Sequence, residues 1–368
     1  MIGLVNINSP LHNQDFITPN NLFDLFAGNT GNALIGDSIR RNFTNNKTVF
    51  SVNNLYNKFS KHDVYMLNKC DHIFVVFKDF LRFDESYDAA DADIFSSNLE
   101  LLNKEISAPL TILSLGLNHT NNNYKPKELL DSVPKYFTNW LKAVNHKTYK
   151  ICTRGYRSAE LLDILKLKNI LPLGCPSYYY SKFPKAVIDN SFENEDFMVF
   201  NGIFCNKLAT NHVYTIQDER VLFDMANGKE VHPDKYKYFY NMSKLYANNI
   251  IHHSKRGRVK YFSGFSSAKL IYGDAKLSIG SRIHGAVAGL SNGVPSIVTN
   301  QDLRATEMCE FMNVPHLPEY GFVEDSDFGE SLNIKEKLNE IDFDLYNKTY
   351  SNNYKKFTEF KDELLKIL

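Results

Sequence analysis

The sequence has no charge of either sign to spare: 42 Lys and Arg balance 42 Asp and Glu over 368 residues. A general nucleic-acid binder carries a basic excess, so no nucleic-acid partner is expected, although a local basic pocket remains open. Cysteine is sparse and unpatterned. Cys70, Cys152, Cys175, Cys205 and Cys309 form no CxxC pair, and their number is odd. That excludes a disulfide scaffold and predicts reduced, mostly buried thiols. No stretch of about 18 consecutive apolar residues occurs, so no transmembrane helix is expected. The opening residues MIGLVNINSPLHNQ lack a basic n-region and a long apolar run, so no signal peptide is read there. A cytoplasmic protein is expected, one that would meet a membrane-linked substrate peripherally, from the inner face. Neither the dinucleotide GxGxxG spacing nor a P-loop is present. The acidic stretch Asp84–Asp93 lacks EF-hand spacing and reads as a solvated loop. With no metal-ligand cluster in view, no metal is assigned.

What is present is an alternation of short apolar runs and helical stretches. Ile73–Phe77, Leu110–Leu115, Tyr149–Cys152 and Ile170–Leu173 have the continuous apolar character of strands buried on both faces. Helical segments over Leu129–Val144 and Ala159–Leu167 lie between them. The pattern breaks near Tyr178–Asn194 and then resumes, with strands at Phe197–Phe200, Val259–Phe262, Leu277–Ile279 and Ser296–Val298 and a long helix over Asp234–His253. Such alternation predicts an α/β protein with parallel sheets. Two parallel-sheet domains are expected, over residues 1–185 and 186–330, with a helical segment 331–368 packing back. Open α/β sheets bind ligands at the carboxyl ends of their strands, so a cleft there is the expected site.

Four segments carry candidate chemistry. In Lys276–Asn300, KLSIGSRIHGAVAGLSNGVPSIVTN, a strand leads into a glycine turn and a thin helix. Ser281 is the expected N-cap, placing Arg282 and His284 in the first turn, where free N–H groups and the helix dipole favour an anion. The alternative is an arginine paired with a core acid beside a capping histidine. In Tyr149–Tyr180, Ser158 is the expected N-cap of the next helix. Arg154 follows a strand and Arg157 lies close by; both are candidate ligand contacts, or else surface arginines. Gly174-Cys175-Pro176-Ser177 forms a tight loop in which Ser177 can touch a ligand. Cys175 is not read as a nucleophile, for want of a basic partner. In Phe26–Ile39, Asn29 and Asn32 belong to a Gly-Asn loop that lets backbone approach a ligand, or simply makes a turn. In Asp302–Leu317, Asp302 caps a helix carrying Arg304 and Glu307; Arg304 faces the cleft or pairs with Glu307 at the surface. His119, after the Leu110–Leu115 strand, is a further candidate. The basic run His252–Arg258 suits a helix C-terminus, with contact to an anionic lipid headgroup the lesser reading.

Taken together, GNTGN (Gly28–Asn32), the segment from TRGYRSAELL through GCPS (Thr153–Ser177) and GSRIHGAVAGLSNGVPSIV (Gly280–Val298) resemble the polysaccharide pyruvyl transferase family. DLRATEMCEF, from Asp302, is similar to the segment that follows in its members. The resemblance implies a GT-B-like pair of Rossmann-type domains. It also implies transfer of pyruvate from phosphoenolpyruvate, a co-substrate rather than a cofactor, as a ketal onto a sugar of a surface polysaccharide or its lipid-linked precursor. Arg282 and His284 match the family's Arg-x-His and would hold phosphoenolpyruvate; Arg154 matches its mid-chain arginine. Two segments depart from the family pattern, FVVFKDF (Phe74–Phe80) and LGLNH (Leu115–His119), both on the expected acceptor side. Two other readings fit the same residues: a glycosyltransferase using a nucleotide sugar, and a non-catalytic carbohydrate-binding protein of polysaccharide assembly.

Overall fold

The structure, a computed structural model, describes residues 1–8, 26, 29–44, 47–52, 54–77, 81–82, 89–118, 126–129, 133–189, 191–193, 196–202, 212–217, 220–227, 229, 252–299, 302–317, 338 and 341–368. Its frame is two parallel six-stranded sheets. The first is built from β1 (Ile2–Val5), β2 (Val49–Val52), β3 (His72–Val76), β5 (Leu110–Leu115), β7 (Thr148–Thr153) and β8 (Ile170–Pro172), in the order β2-β1-β3-β5-β7-β8. Two short strands, β4 (Leu81–Arg82) and β6 (Leu117–Asn118), pair beside it. The second sheet contains β9 (Met198–Asn201), β10 (Val213–Thr215), β11 (Val259–Lys260), β12 (Leu277–Gly280), β13 (Ser296–Thr299) and β14 (His316–Leu317), in the order β11-β10-β9-β12-β13-β14. Counted within that sheet, the order is 3-2-1-4-5-6, the Rossmann order. Its topological switch point lies between β9 and β12, which pair from Leu277–Met198 to Gly280–Asn201.

The apolar runs explain the strands. Every residue of β3, β5, β9, β12 and β13 is buried, as expected for parallel strands covered on both faces. Strand β1, inside the edge strand β2, has only four residues, and its Gly3 lets Ile73 and Cys70 pack closely. Helices α1 (Asn32–Phe43), α2 (Lys61–Asn68), α3 (Ala89–Lys104), α4 (Pro126–Leu129), α5 (Lys135–Val144) and α6 (Tyr156–Ile164) belong to the first half. In the second half come α7 (Arg220–Ala226), α8 (Phe265–Tyr272), α9 (Ile283–Leu290) and α10 (Leu303–Met312), followed by α11 (Phe343–Leu365).

Several sequence expectations shift. The helix expected over Leu129–Val144 starts at Lys135 instead, with Pro134 as N-cap, because a proline begins a helix but does not sit inside one. The Asp84–Asp93 loop becomes helical from Ala89, where α3 begins. Most of the helix expected at Asp234–His253 lies outside the described residues. The four described cysteines, Cys70, Cys152, Cys175 and Cys309, are free and buried. No helix among the described residues is long and apolar enough to cross a membrane.

One apolar core runs through both halves. It joins Ile2, Phe74 and Leu113 of the first sheet to Phe200, Ile279 and Val298 of the second. Helix α11 completes it. Asp342 caps that helix, accepting from the backbone N–H groups of Asp344 and Leu345. Tyr350 then accepts from Phe183 N and donates to Ser181 O, while Asn347 exchanges two hydrogen bonds with Ala186. Phe357 stacks on Tyr179 at 4.4 Å between ring centroids. The chain after β8 is thereby held at Tyr179, Ser181, Phe183 and Ala186. A continuous core therefore joins the two halves and sets the mutual position of their strand ends.

Candidate active site

The site is built at the second sheet's switch point. Strand β9 ends at Asn201-Gly202, and neighbouring β12 ends at Gly280 before Ser281-Arg282-Ile283-His284. Ser281 is not the N-cap. Its backbone N–H donates to Asn201 O at 2.9 Å, an edge contact that keeps it in line with the sheet. Arg282 takes the N-cap position in extended conformation, and α9 begins at Ile283. Arg282 is half-buried, and its Cγ lies 2.8 Å from where a Cβ on Gly202 would stand. Gly202 has φ +72°, so glycine is required there both for the turn and for the arginine's approach.

What brings α9 down onto the sheet is a buried polar knot under Gly285. Asn201 donates from Nδ2 to Ser278 Oγ at 2.7 Å, and its Oδ1 accepts from Thr215 and Tyr272 at 2.5 Å each. A Cβ on Gly285 would lie 2.3 Å from Asn201 Cγ. The helix start therefore packs directly against the end of β9. Such a terminus is a ready anion site, here with a guanidinium at its cap.

His284 is where distant motifs meet. It is buried, and its Cβ stands 3.0 Å from where a Cβ on Gly31 would lie. Gly31 belongs to the Gly-Asn loop, which leans on the second half through Thr30 N to Gln217 O at 2.8 Å. On another side, His284 Nε2 lies 3.7 Å from Cys175 Sγ, which accepts from Ser177 Oγ at 3.1 Å. The basic partner of Cys175 that is invisible in sequence is thus supplied by the other half of the chain, 109 residues away. Asn29 and Asn32 shape their own loop: Asn29 Oδ1 accepts from Gly31 N, and Asn32 Nδ2 donates to Phe26 O, both at 2.9 Å.

Arg154 lies in a second cluster at the end of β7. It is no surface arginine, being 1% exposed, and its Nε donates to Ser114 Oγ at 3.0 Å. Glu307 of α10 is its electrostatic counterpart. Ser158 does not cap α6, whose N-cap is Gly155; the capping acceptor comes from the other half instead. Glu307 takes hydrogen bonds from Ser158 N and Ser158 Oγ, each at 2.6 Å. Burial raises the Glu307 pKa; bonds from Ser158 and Leu117 and the charge of Arg154 oppose the rise. One turn on, Glu310 holds Arg157 through two bonds, Nε to Oε2 at 2.9 Å and Nη2 to Oε1 at 2.5 Å. Arg304 pairs with the capping Asp302 at 3.2 Å rather than with Glu307. His119 lies outside the described residues. The structure therefore draws Asn29, Asn32, Ser177, Ser281, Arg282 and His284 toward one place, and sets Arg154, Arg157 and Arg304 around α10. No group of three or more His, Cys, Asp or Glu suited to a metal occurs among the described residues.

Sequence reasoning passed over Asn201, Gly202 and Gln217. The first two carried a signal: Asn-Gly directly after an apolar run is a turn at a strand end. Gln217, after β10, carried none.

Among solved structures, a glycosyltransferase from Rickettsia africae ESF-5 is similar over 99% of both chains, with 11% identity and a TM-score of 0.43. The UDP-GlcNAc 2-epimerase from Neisseria meningitidis, solved with UDP-GlcNAc, is similar over 98% of this chain and 100% of that one, with 8% identity and a TM-score of 0.40. No curated protein matches the sequence. The family model described as Polysaccharide pyruvyl transferase matches residues 29–302, well over half of the chain. That span starts in the Gly-Asn loop, takes in the loop of Cys175 and Ser177, and ends just past the Arg-x-His helix; with these motifs meeting at His284, the chain belongs to the polysaccharide pyruvyl transferase family.

Proposed function

We propose that the protein transfers pyruvate from phosphoenolpyruvate to a sugar of a surface polysaccharide or its lipid-linked precursor, forming a ketal. The observation that carries this reading is the meeting of three separate motifs at His284, beside an arginine-capped helix terminus. Arg282 and the first N–H groups of α9 hold the phosphate or carboxylate of the donor. Arg154, buried at the end of β7 beside Glu307, lends positive charge on the first sheet's side. His284 protonates the methylene carbon, which becomes the methyl group of pyruvate. The positive character that develops at the central carbon is met by one sugar hydroxyl, which forms a C–O bond and loses its proton. The C–O bond to phosphate then breaks, phosphate leaves with the bonding pair, and a neighbouring hydroxyl closes the ketal as it loses its own proton. Two C–O bonds form and one breaks, with no oxidant, metal or organic cofactor entering the balance. A lipid-linked acceptor would be met at the inner membrane face.

Thermal unfolding in the presence of phosphoenolpyruvate tests this. A saturable stabilisation of about 2.7 kcal/mol at a hundred times Kd is expected, and it should vanish in Arg282→Ala. Stabilisation by nucleotide sugars, with none by phosphoenolpyruvate, would overturn the reading in favour of glycosyl transfer.

A further inference from the structure

Cys175 follows β8 in extended conformation (φ −80°, ψ 136°) and opens a 3-10 turn over Pro176–Tyr179. Its loop is rigidly framed. Gly174 has φ +77° with Phe311 packed against it, Ser38 Oγ donates to Pro176 O, and Asn42 Nδ2 donates to Tyr179 O. The sulfur is fully buried. It accepts from Ser177 Oγ at 3.1 Å and stands 3.7 Å from His284 Nε2, within hydrogen-bond reach for sulfur.

We propose that Cys175 is the positioning residue of His284. With one lone pair engaged by the Ser177 hydroxyl, the thiol turns its own S–H toward Nε2. A neutral imidazole has one donor nitrogen and one acceptor. The thiol makes Nε2 the acceptor and therefore places the ring proton on Nδ1. The chain Ser177 O–H, Cys175 S–H, Nε2 fixes both the tautomer and the rotation of the ring. The same contact holds the ring in the orientation from which His284 delivers its proton. This catalytic consequence rests on the function proposed above; the tautomer assignment does not.

Long-range proton–nitrogen correlation spectra of the full chain, labelled with ¹⁵N-histidine, test it, with the His284 signals identified by their loss in His284→Gln. The wild type and Cys175→Ser, which keeps a donor in place, are expected to show Nε2 unprotonated and Nδ1 protonated. Cys175→Ala is expected to shift the ring toward the Nε2–H tautomer. Ser177→Ala should move it the same way, and substitutes for Cys175→Ala should that variant fail to fold. An unchanged His284 spectrum in Cys175→Ala, or an Nε2–H tautomer in the wild type, overturns the proposal. In turnover with phosphoenolpyruvate, Cys175→Ala should lose about tenfold in kcat with KM changed less than about twofold, and Cys175→Ser should recover most of the loss. If the wild type neither binds nor turns over phosphoenolpyruvate, the functional reading fails, while the spectra still decide the role of Cys175.

Discussion

Gly285→Ala is the smallest change that should dismantle the site. The added methyl would stand 2.3 Å from Asn201 Cγ and 2.3 Å from its Oδ1. Carbon atoms pack at about 3.5 Å or more, so relief needs a shift of about 1.2 Å. Asn201 cannot swing away cheaply, because Ser278, Thr215 and Tyr272 all bond to its amide in a buried setting. Moving it would strand hydroxyls at about 1–3 kcal/mol for each one lost. The helix start has to rise instead, at an overpacking cost of about 1–3 kcal/mol. A displacement of about 1 Å at a reacting group costs on the order of a hundredfold in rate, or about 2.7 kcal/mol, so turnover should suffer about as much as stability. Urea unfolding and phosphoenolpyruvate-induced stabilisation would be measured for Gly285→Ala, Asn201→Ala and the double variant. The expected result is a lowered midpoint and lost ligand stabilisation in Gly285→Ala. The double variant should be less destabilised than the sum of the singles, since Asn201→Ala removes the obstacle. Strict additivity, or a Gly285→Ala variant with wild-type midpoint and ligand response, would refute the close-approach argument.

Other consequences follow from the two clusters and from the contact between halves. Asp37 of α1 accepts from Phe265 N, the first residue of α8, at 3.0 Å, and burial pushes its pKa up to about 7 despite that bond and the nearby Arg40. Because the folded state holds this proton more tightly than the unfolded one, stability falls as pH rises from about 4 to 7 through this group. Asp37→Asn should therefore be more stable than wild type at pH 8, by at most about 4 kcal/mol, with the difference shrinking toward pH 4. Equal melting differences at both pH values would count against it. Glu307→Ala should cost about 3–5 kcal/mol, since it strands the Ser158 donors and uncouples Arg154 in a buried site; chemical unfolding reads this directly. Arg157→Ala, losing a partly exposed pair with Glu310, should cost less than about 1 kcal/mol in the same assay. A large loss there would mean that Arg157 does more than tie α10 to α6.

The legible parts of the fold were those with a strong local signal. Leu110–Leu115 is a strand over its full expected length, and the strands expected at Ile73–Phe77 and Ser296–Val298 are displaced or extended by a single residue. Asn313 ends α10 in the left-handed region at φ 51°, as its place before Pro315 suggests. The first strand escaped notice because four residues give no periodicity to read, and its Gly3 looks like a turn residue until Ile73 is seen against it. The caps were misplaced for a related reason. Ser158 and Ser281 are good cap residues locally, but Glu307 and Asn201 compete for their hydrogen-bonding groups from far along the chain. Propensity describes what a residue offers to its neighbours in sequence and is overridden when a distant partner arrives in a buried place.

By itself the sequence determined the class of the molecule. Alternating apolar runs and helical stretches dictate parallel α/β sheets, because only covered strands are apolar on both faces. It also determined which residue types stand at the strand ends: Arg282, His284 and the loop of Cys175. The tertiary structure alone decided which of these share a place. Strand order put β9 beside β12 and created the switch point under Arg282. The shared core and α11 brought the two halves together, so that Cys175 and Gly31 come to lie against His284. The same packing sent Arg154 into a buried cluster with Glu307 and left Arg157 at the surface. Pairings across more than a hundred residues depend on summed burial along the whole chain, which no local stretch of sequence encodes.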